Sequence, residues 1–434
     1  MEQLLHYVWR HRIYPLRPLQ TTDGQPLEVI DPGLPHTHAG PDFFNAKVKL
    51  GGTLWAGDVE VHDRASDWLR HGHDRDRAYD RVVLHVVGEA DCDVFRTNGE
   101  RIPQLLLPCP DEVRQRYDDL RRPEIFPPCH EILSRLPLLK VHAWFSTLQV
   151  ERLQQKAEAI NRRLARCNQH WEDAFFITLS RNFGFGLNGD AFEHWATRLP
   201  LRAVDKHRDK LFQVEAFFFG MAGLLDGEEE EGYACGLRRE FAYLQRKFGL
   251  PEPMSAGQWR FLRLRPGNFP HVRLAQLAYL YYQSEGLFSR VLEAETADSL
   301  RKLFVGVRTS EFWTEHFHFR KASPRRVKSL GAGAVDLIVL NTVVPMLYAY
   351  GQYRSDERLC GRASRLLESL KAEDNSLIRR WARAGLPVRT AADSQALLQL
   401  QKEYCDKRDC LRCRFGYEYL KARSAPRQSL TIDH

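Results

Sequence analysis

Residues 39–62, AGPDFFNAKVKLGGTLWAGDVEVH, decide the reading of the fold. Two runs rich in Val, Leu, Phe and Thr flank Gly51-Gly52, a pair suited to the positive φ angles of a tight hairpin. The spacing predicts two antiparallel strands. Asp42 follows a Gly-Pro turn at the head of the first strand, and Asp58, Glu60 and His62 lie at the end of the second. Side chains two apart on a strand point to the same face, so these three form a row that Asp42 can join from the neighbouring strand. Converging carboxylates repel one another in a low dielectric unless protonated or holding a cation. Hard divalent ions prefer such oxygen ligands. The expectation is a Mg²⁺ or Mn²⁺ site on Asp42, Asp58 and Glu60, with Asp42, Glu60 and His62 as the catalytic set for phosphodiester cleavage.

Working outward, residues 1–125 read as a mixed α/β module. A helix over about residues 2–12 precedes the strand candidates PLEVID, FFNAKVKL, TLWAGDVEVH, RVVLHVV, ADCDVFR and PQLLL, punctuated by Gly, Asn-Gly and Pro. SDWLRHGHDRDRAY, between the third and fourth strands, reads as helical and carries His71 and His73. With His36 and His38 ahead of the Gly-Pro turn, these make four accessory histidines around the acidic row. Imidazoles two apart can chelate zinc, line a phosphate cleft or bond a loop. His85, inside RVVLHVV, reads as a packed strand residue. Prolines mark a linker over 126–140, and from 141 to 434 the pattern is helical almost throughout. The fold class is α+β: a mixed-sheet module followed by a large all-α domain.

The composition, 43% hydrophobic and 27% charged, is that of an ordinary folded chain. No apolar run in the sequence approaches the roughly 18 residues that suggest a bilayer span. The first residues lack a signal-peptide pattern, so the expectation is a cytoplasmic protein without membrane contact. Residues 1–125 hold 16 Lys and Arg against 21 Asp and Glu, a balance of −5, which leaves +12 for the rest of a chain whose net charge is +7. An acidic catalytic module joined to a basic one suits a polyanionic partner, so nucleic acid is the expected substrate. Arg263, Arg265 and Arg273 surround a Pro-Gly-Asn turn and a helix start, a candidate phosphate-binding patch.

Nine cysteines without an export signal are expected as thiols or metal ligands. Cys405, Cys410 and Cys413 fall in nine residues, a spacing that suggests zinc or an iron–sulfur cluster. A four-ligand site needs one more group. Cys360 is the first candidate and Cys129 the second.

The Asp42, Asp58, Glu60 and His62 pattern resembles the PD-(D/E)XK phosphodiesterase core, in which a mixed sheet presents an Asp from one strand and an acid-x-Lys pair from the next. Gly40-Pro41-Asp42 matches the first half. The lysine position holds Glu60 in Asp58-Val59-Glu60, or His62 in Glu60-Val61-His62. The resemblance implies a metal-dependent nuclease with His62, at a reference pKa near 6.5, as general base. The lysine substitution leaves open a nucleic-acid-binding protein without chemistry, and the histidines leave open a zinc hydrolase of small substrates. Over the longer chain, LLHYVW, TTDGQPLEVIDPG, AGPDFFNAKV, GDVEVH, SDWLRHGHD, RNFGFGLNGDAFE, RLRPGNFPHVRLAQLA and YCDKRDCLRC resemble a bacterial family known as domain of unknown function 2851. That resemblance implies no activity, and it favours Glu60 and His62 over Asp58 as the active pair.

Overall fold

The computed structural model describes residues 2–14, 18–36, 40–122, 126–225 and 232–422. It divides into two compact units. The first comprises Met1–Val141, Arg383–Leu386 and Leu400–His434, and the second His142–Ala382 and Pro387–Gln399. The class is α+β, with a mixed sheet near the N-terminus followed by a helical region. The cysteine-bearing segment from Leu400, read from sequence as the end of the helical domain, groups with the first unit.

The first unit opens with helix α1 (Glu2–His11), which buries Leu4, Leu5, Tyr7, Val8 and Trp9. Strands β1 (Leu19–Gln20), β2 (Pro26–Asp31), β3 (Leu34–Pro35), β4 (Phe43–Leu50), β5 (Thr53–Arg64), β6 (Val82–Glu89) and β7 (Gln104–Leu106) form one sheet. Its order is β1-β2-β4-β5-β6-β7, with β3 also paired to β4. The β4–β5 hairpin turns at Gly51-Gly52 as its sequence predicts, whereas β5–β6 and β6–β7 are parallel. Parallel neighbours require a crossover. Between β5 and β6 it consists of α2 (Asp67–Arg70) and two short 3₁₀ turns, His73–Arg75 and Arg77–Tyr79. All six residues of the VVLHVV run are buried, as expected for a strand covered on both faces. ADCDVFR forms no strand: only an isolated bridge joins Phe95 to Arg101 around the Asn98-Gly99 turn.

A β-bulge shapes the hairpin near the acidic row. Phe43 pairs with Val59 but Ala46 pairs with Gly57, so β4 carries one extra residue. Asn45 sits there at φ 56°, a left-handed conformation that asparagine tolerates better than most residues. Its N–H donates to the Asp58 carboxylate at 3.1 Å. Helices α3 (Asp111–Leu120) and α4 (His130–Leu133) pack against the C-terminal helix Arg414–Lys421.

The second unit is built around one large aromatic core. Helix Leu211–Met221 is buried almost all round, and Phe217, Phe218 and Phe219 are inaccessible. An apolar helix of this kind belongs inside a core. The helical run Ala332–Arg354 is long and apolar enough to cross a membrane by length and composition, and 61% of its most apolar window is buried. It contains the π-helical turn Val339–Val343, and its polar Asn341 and Thr342 break the apolar sequence pattern that a simple run-length reading requires.

Two expected outcomes follow from this core. A Cβ at Gly220 would lie 2.2 Å from the Phe241 ring of the neighbouring helix. Gly220→Ala should therefore cost about 1–3 kcal/mol, read as a lowered urea midpoint; an unchanged midpoint contradicts the packing. Glu215 is fully buried beside the Tyr233 and Ser310 hydroxyls, and burial pushes its carboxyl up to about 7. The folded state then holds a proton that the unfolded chain releases near pH 4.5, so stability falls as pH rises from there to about 7. Glu215→Gln should remove that part of the pH dependence, of the order of 3 kcal/mol, in denaturation curves taken at pH 5 and pH 8. Identical pH profiles for the two proteins would exclude it.

Candidate metal centre

The hairpin brings Asp42 and Glu60 together through reciprocal backbone bonds. The Asp42 N–H donates to Glu60 Oε2 at 3.1 Å, and the Val61 N–H donates to Asp42 Oδ2 at 3.0 Å. Each carboxylate thus grips the other's strand. Glu60 is only 5% exposed, and burial followed by repulsion from Asp42 raises its pKa. Burial also raises that of Asp42, against the opposing pull of His6.

The crossover supplies the histidines. The Trp68 side chain is fully buried and donates from Nε1 to the Phe95 carbonyl at 3.1 Å, anchoring α2. His71 follows at the end of α2, and Gly72, at φ 75°, turns the chain so that His73 folds back toward β5. Among the described residues, His62, His71 and His73 are the one set of three or more His, Cys, Asp or Glu whose donor atoms all lie within 4.8 Å of one another. His71 Nδ1 lies 3.2 Å from His62 Nε2. Glu60 Oε1 lies 3.5 Å from His62 Nε2 and 3.3 Å from His73 Nε2.

These separations have a chemical meaning. Ligands about 2.0–2.1 Å from a tetrahedral ion stand roughly 3.3–3.4 Å from one another. The His62–His71, Glu60–His62 and Glu60–His73 separations are near that spacing, so the three imidazoles form a candidate ligand set and Glu60 adjoins it through His62 and His73. Binding requires neutral imidazoles. Burial, then the nearby rings of His73 and His71, lowers the His62 pKa to about 3. His62 Nδ1 lies 2.9 Å from His85 Nε2. With His62 Nε2 left for a metal, its Nδ1–H donates to His85, a bond that fixes both ring and tautomer.

Several residues here escaped the sequence reading. His6 Nε2 on α1 lies 3.4 Å from Asp42 Oδ2. The Tyr79 ring stacks on His73 at 3.8 Å, and burial, then Glu60 and Asp42, pushes its hydroxyl up to about 12. His85 is the buried partner of His62 rather than a plain packing residue. Only a crossover folded back on the sheet, and a helix laid beside it, bring these groups together.

Other expected site residues lie elsewhere or do other work. The Asp58 carboxylate is used by the bulge at Asn45. His62 lies beside His71 and His73. His36 donates its N–H to the Asp42 carbonyl at 2.7 Å, and its ring meets Phe44 edge-on. His38 lies outside the described residues. Arg273 is a correction: it is 8% exposed, with its guanidinium on Gln276 and Asn268 and over the Phe185 ring, so it is not available to a phosphate backbone. Arg273 lies in the first turns of the buried helix Pro270–Gln283. Arg263 and Arg265 are exposed beside that turn. Cys360 is in the second unit, with Sγ 3.7 Å from the Tyr348 carbonyl. Cys405, Cys410 and Cys413 are in the first unit, as is Cys129.

The chain belongs to the family described as protein of unknown function DUF2851. The match covers residues 2–376, so it includes every donor of the candidate centre and stops before Cys405. No curated protein and no solved structure matches the chain.

Titration with Co²⁺, followed by visible absorption that separates nitrogen and oxygen from thiolate coordination, should reveal one such site. His73→Ala should abolish it, and His85→Ala should weaken it by about 10–100-fold. Asp58→Asn should leave it intact. Unchanged binding in His73→Ala would remove these residues from consideration.

Proposed function

We propose that the first unit is a metal-dependent hydrolase of phosphodiester bonds in nucleic acid, using an ion of the zinc or manganese kind rather than magnesium. The observation that carries the reading is the convergence of three imidazoles, His62, His71 and His73, with the Glu60 carboxylate against two of them. Imidazole favours transition ions over Mg²⁺. A metal bound there would lower the pKa of a coordinated water and polarise the phosphoryl oxygen. Asp42 touches the same centre through Glu60 and pairs with His6, so it is placed to accept a proton from the attacking water. Exposed Arg70, Arg75 and Arg77 lie on the crossover that carries His71 and His73, and guanidinium groups suit phosphate. The PD-(D/E)XK resemblance supports the substrate class, with Asp42 at the head of β4 and Glu60 on the adjacent β5 of a mixed sheet. The absent lysine is replaced functionally by the histidine-held ion.

A second reading, a hydrolase of small phosphate esters, is favoured by burial. Glu60, His62 and His73 are 5%, 2% and 9% exposed, while His71 alone among the four donors stands in solvent. Such a narrow approach suits a single strand or a small ester better than a duplex.

A panel of single- and double-stranded DNA and RNA, together with a bis-aryl phosphodiester and an aryl phosphate monoester, separates these readings under Zn²⁺, Mn²⁺ and Mg²⁺. Cleavage of single strands is expected with Zn²⁺ or Mn²⁺, and Asp42→Asn should lower kcat by about 10²–10⁴-fold. Equal activity in Glu60→Gln and wild type would refute the site. Cleavage of the monoester alone would select the second reading.

A further inference from the structure

Four cysteines converge in the first unit, far from any sequence motif the hydrolytic centre uses. Cys405 ends the π-helical turn Gln401–Cys405, Cys410 lies in the turn after it, and Cys413 caps the C-terminal helix. Cys129, much earlier in the chain, caps α4. The Cys405 thiol lies within electrostatic range of those of Cys413, Cys129 and Cys410, and the Cys129 thiol within range of Cys413 and Cys410. Cys129 is 8% exposed and Cys413 6%.

The loop that carries them is shaped tightly. The Cys413 N–H donates to the Cys410 carbonyl at 3.2 Å, and the Tyr417 N–H to the Cys413 carbonyl at 2.9 Å. A Cβ at Gly416 would fall 2.0 Å from the Cys410 carbonyl oxygen, so only glycine permits this approach. Cys410 Sγ lies 4.0 Å from the Leu120 carbonyl, and Arg408 donates to the Arg121 carbonyl, both at the end of α3. Buried cysteine commonly serves as a small apolar residue. Three in nine residues meeting a fourth from a remote segment is a different arrangement.

Spacing distinguishes the possible occupants. Zinc–sulfur bonds of about 2.3 Å would place four thiolates roughly 3.8 Å apart. Among the described residues no three of these sulfurs lie within 4.8 Å of one another, since the histidine triad is the one set that does. A cluster of several irons holds its four cysteines further apart than a single ion can. We propose that Cys129, Cys405, Cys410 and Cys413 hold an iron–sulfur cluster that ties the C-terminal segment to α3 and α4. Cys129 thus takes the fourth position, for which the sequence reading put Cys360 first. The tie also bears on the hydrolytic centre. Tyr417 of the C-terminal helix meets Tyr7 and His11 of α1, the helix that carries His6.

The test is iron, sulfide and zinc analysis of the full chain purified without oxygen, with visible absorption, for wild type, Cys129→Ser and Cys360→Ser. Wild type should contain more than one iron per chain with matching acid-labile sulfide. Cys360→Ser should keep both, and Cys129→Ser should lose most of them. Alkylation of wild type followed by peptide mass spectrometry needs no variant. Cys129, Cys405, Cys410 and Cys413 should be protected until the cluster is stripped oxidatively in the presence of chelator, whereas Cys360 labelling should not change. Zinc without sulfide, full cluster retention in Cys129→Ser, or labelling of Cys129 before stripping would each overturn the assignment. None of these readouts depends on hydrolytic activity, so failure here leaves the histidine centre to its own test.

Discussion

A buried carboxylate on β5, Glu60, held against the half-buried Asp42 at the head of β4, is the constraint around which the first unit is arranged. Asp42 and Glu60 each accept an N–H from the other's strand, which holds them close despite their mutual repulsion. Leaving both ionised in a low dielectric is costly, and a bound cation is the most direct relief. Three features of the surrounding structure answer to that pair. The bulge at Asn45 sets the register between β4 and β5, the crossover folds two histidines back over β5, and α1 delivers His6. The hydrogen bond between His62 and His85 then fixes the orientation of the central imidazole.

Much of this scaffold was legible in the chain. PLEVID and FFNAKVKL are strands with the residues predicted, and Gly51-Gly52 makes the hairpin turn. The pairing of Glu60 with His62 on one face follows from the two-residue period of a strand. What the period could not show is the β-bulge, which gives the Asp58 carboxylate to a backbone N–H. Strand spacing also cannot reveal contacts made through a parallel crossover, so the approach of His71 and His73 to His62 was not legible. His6 carried no signal at all, because a histidine on an amphipathic helix face has many possible neighbours.

Charge alone misplaced one residue. Arg273 looked like a surface cation, yet Asn268, Gln276 and the Phe185 ring satisfy it inside the second unit. For the fourth cysteine ligand, Cys360 and Cys129 were both candidates in the sequence, and they fall in different units. Chain distance is a poor guide when a terminal segment returns to an early part of the fold. The net positive charge after residue 125 is real, but it divides between two units because the segment from Leu400 belongs to the first.

The proposed function depends on an imidazole-rich site in place of an all-oxygen magnesium site. X-ray absorption at the zinc edge of protein loaded with one equivalent of zinc tests it most directly. Nitrogen and oxygen scatterers at about 2.0–2.1 Å with imidazole outer scattering are expected. A spectrum dominated by sulfur at about 2.3 Å, or no tightly held zinc, would contradict the centre on Glu60, His62, His71 and His73.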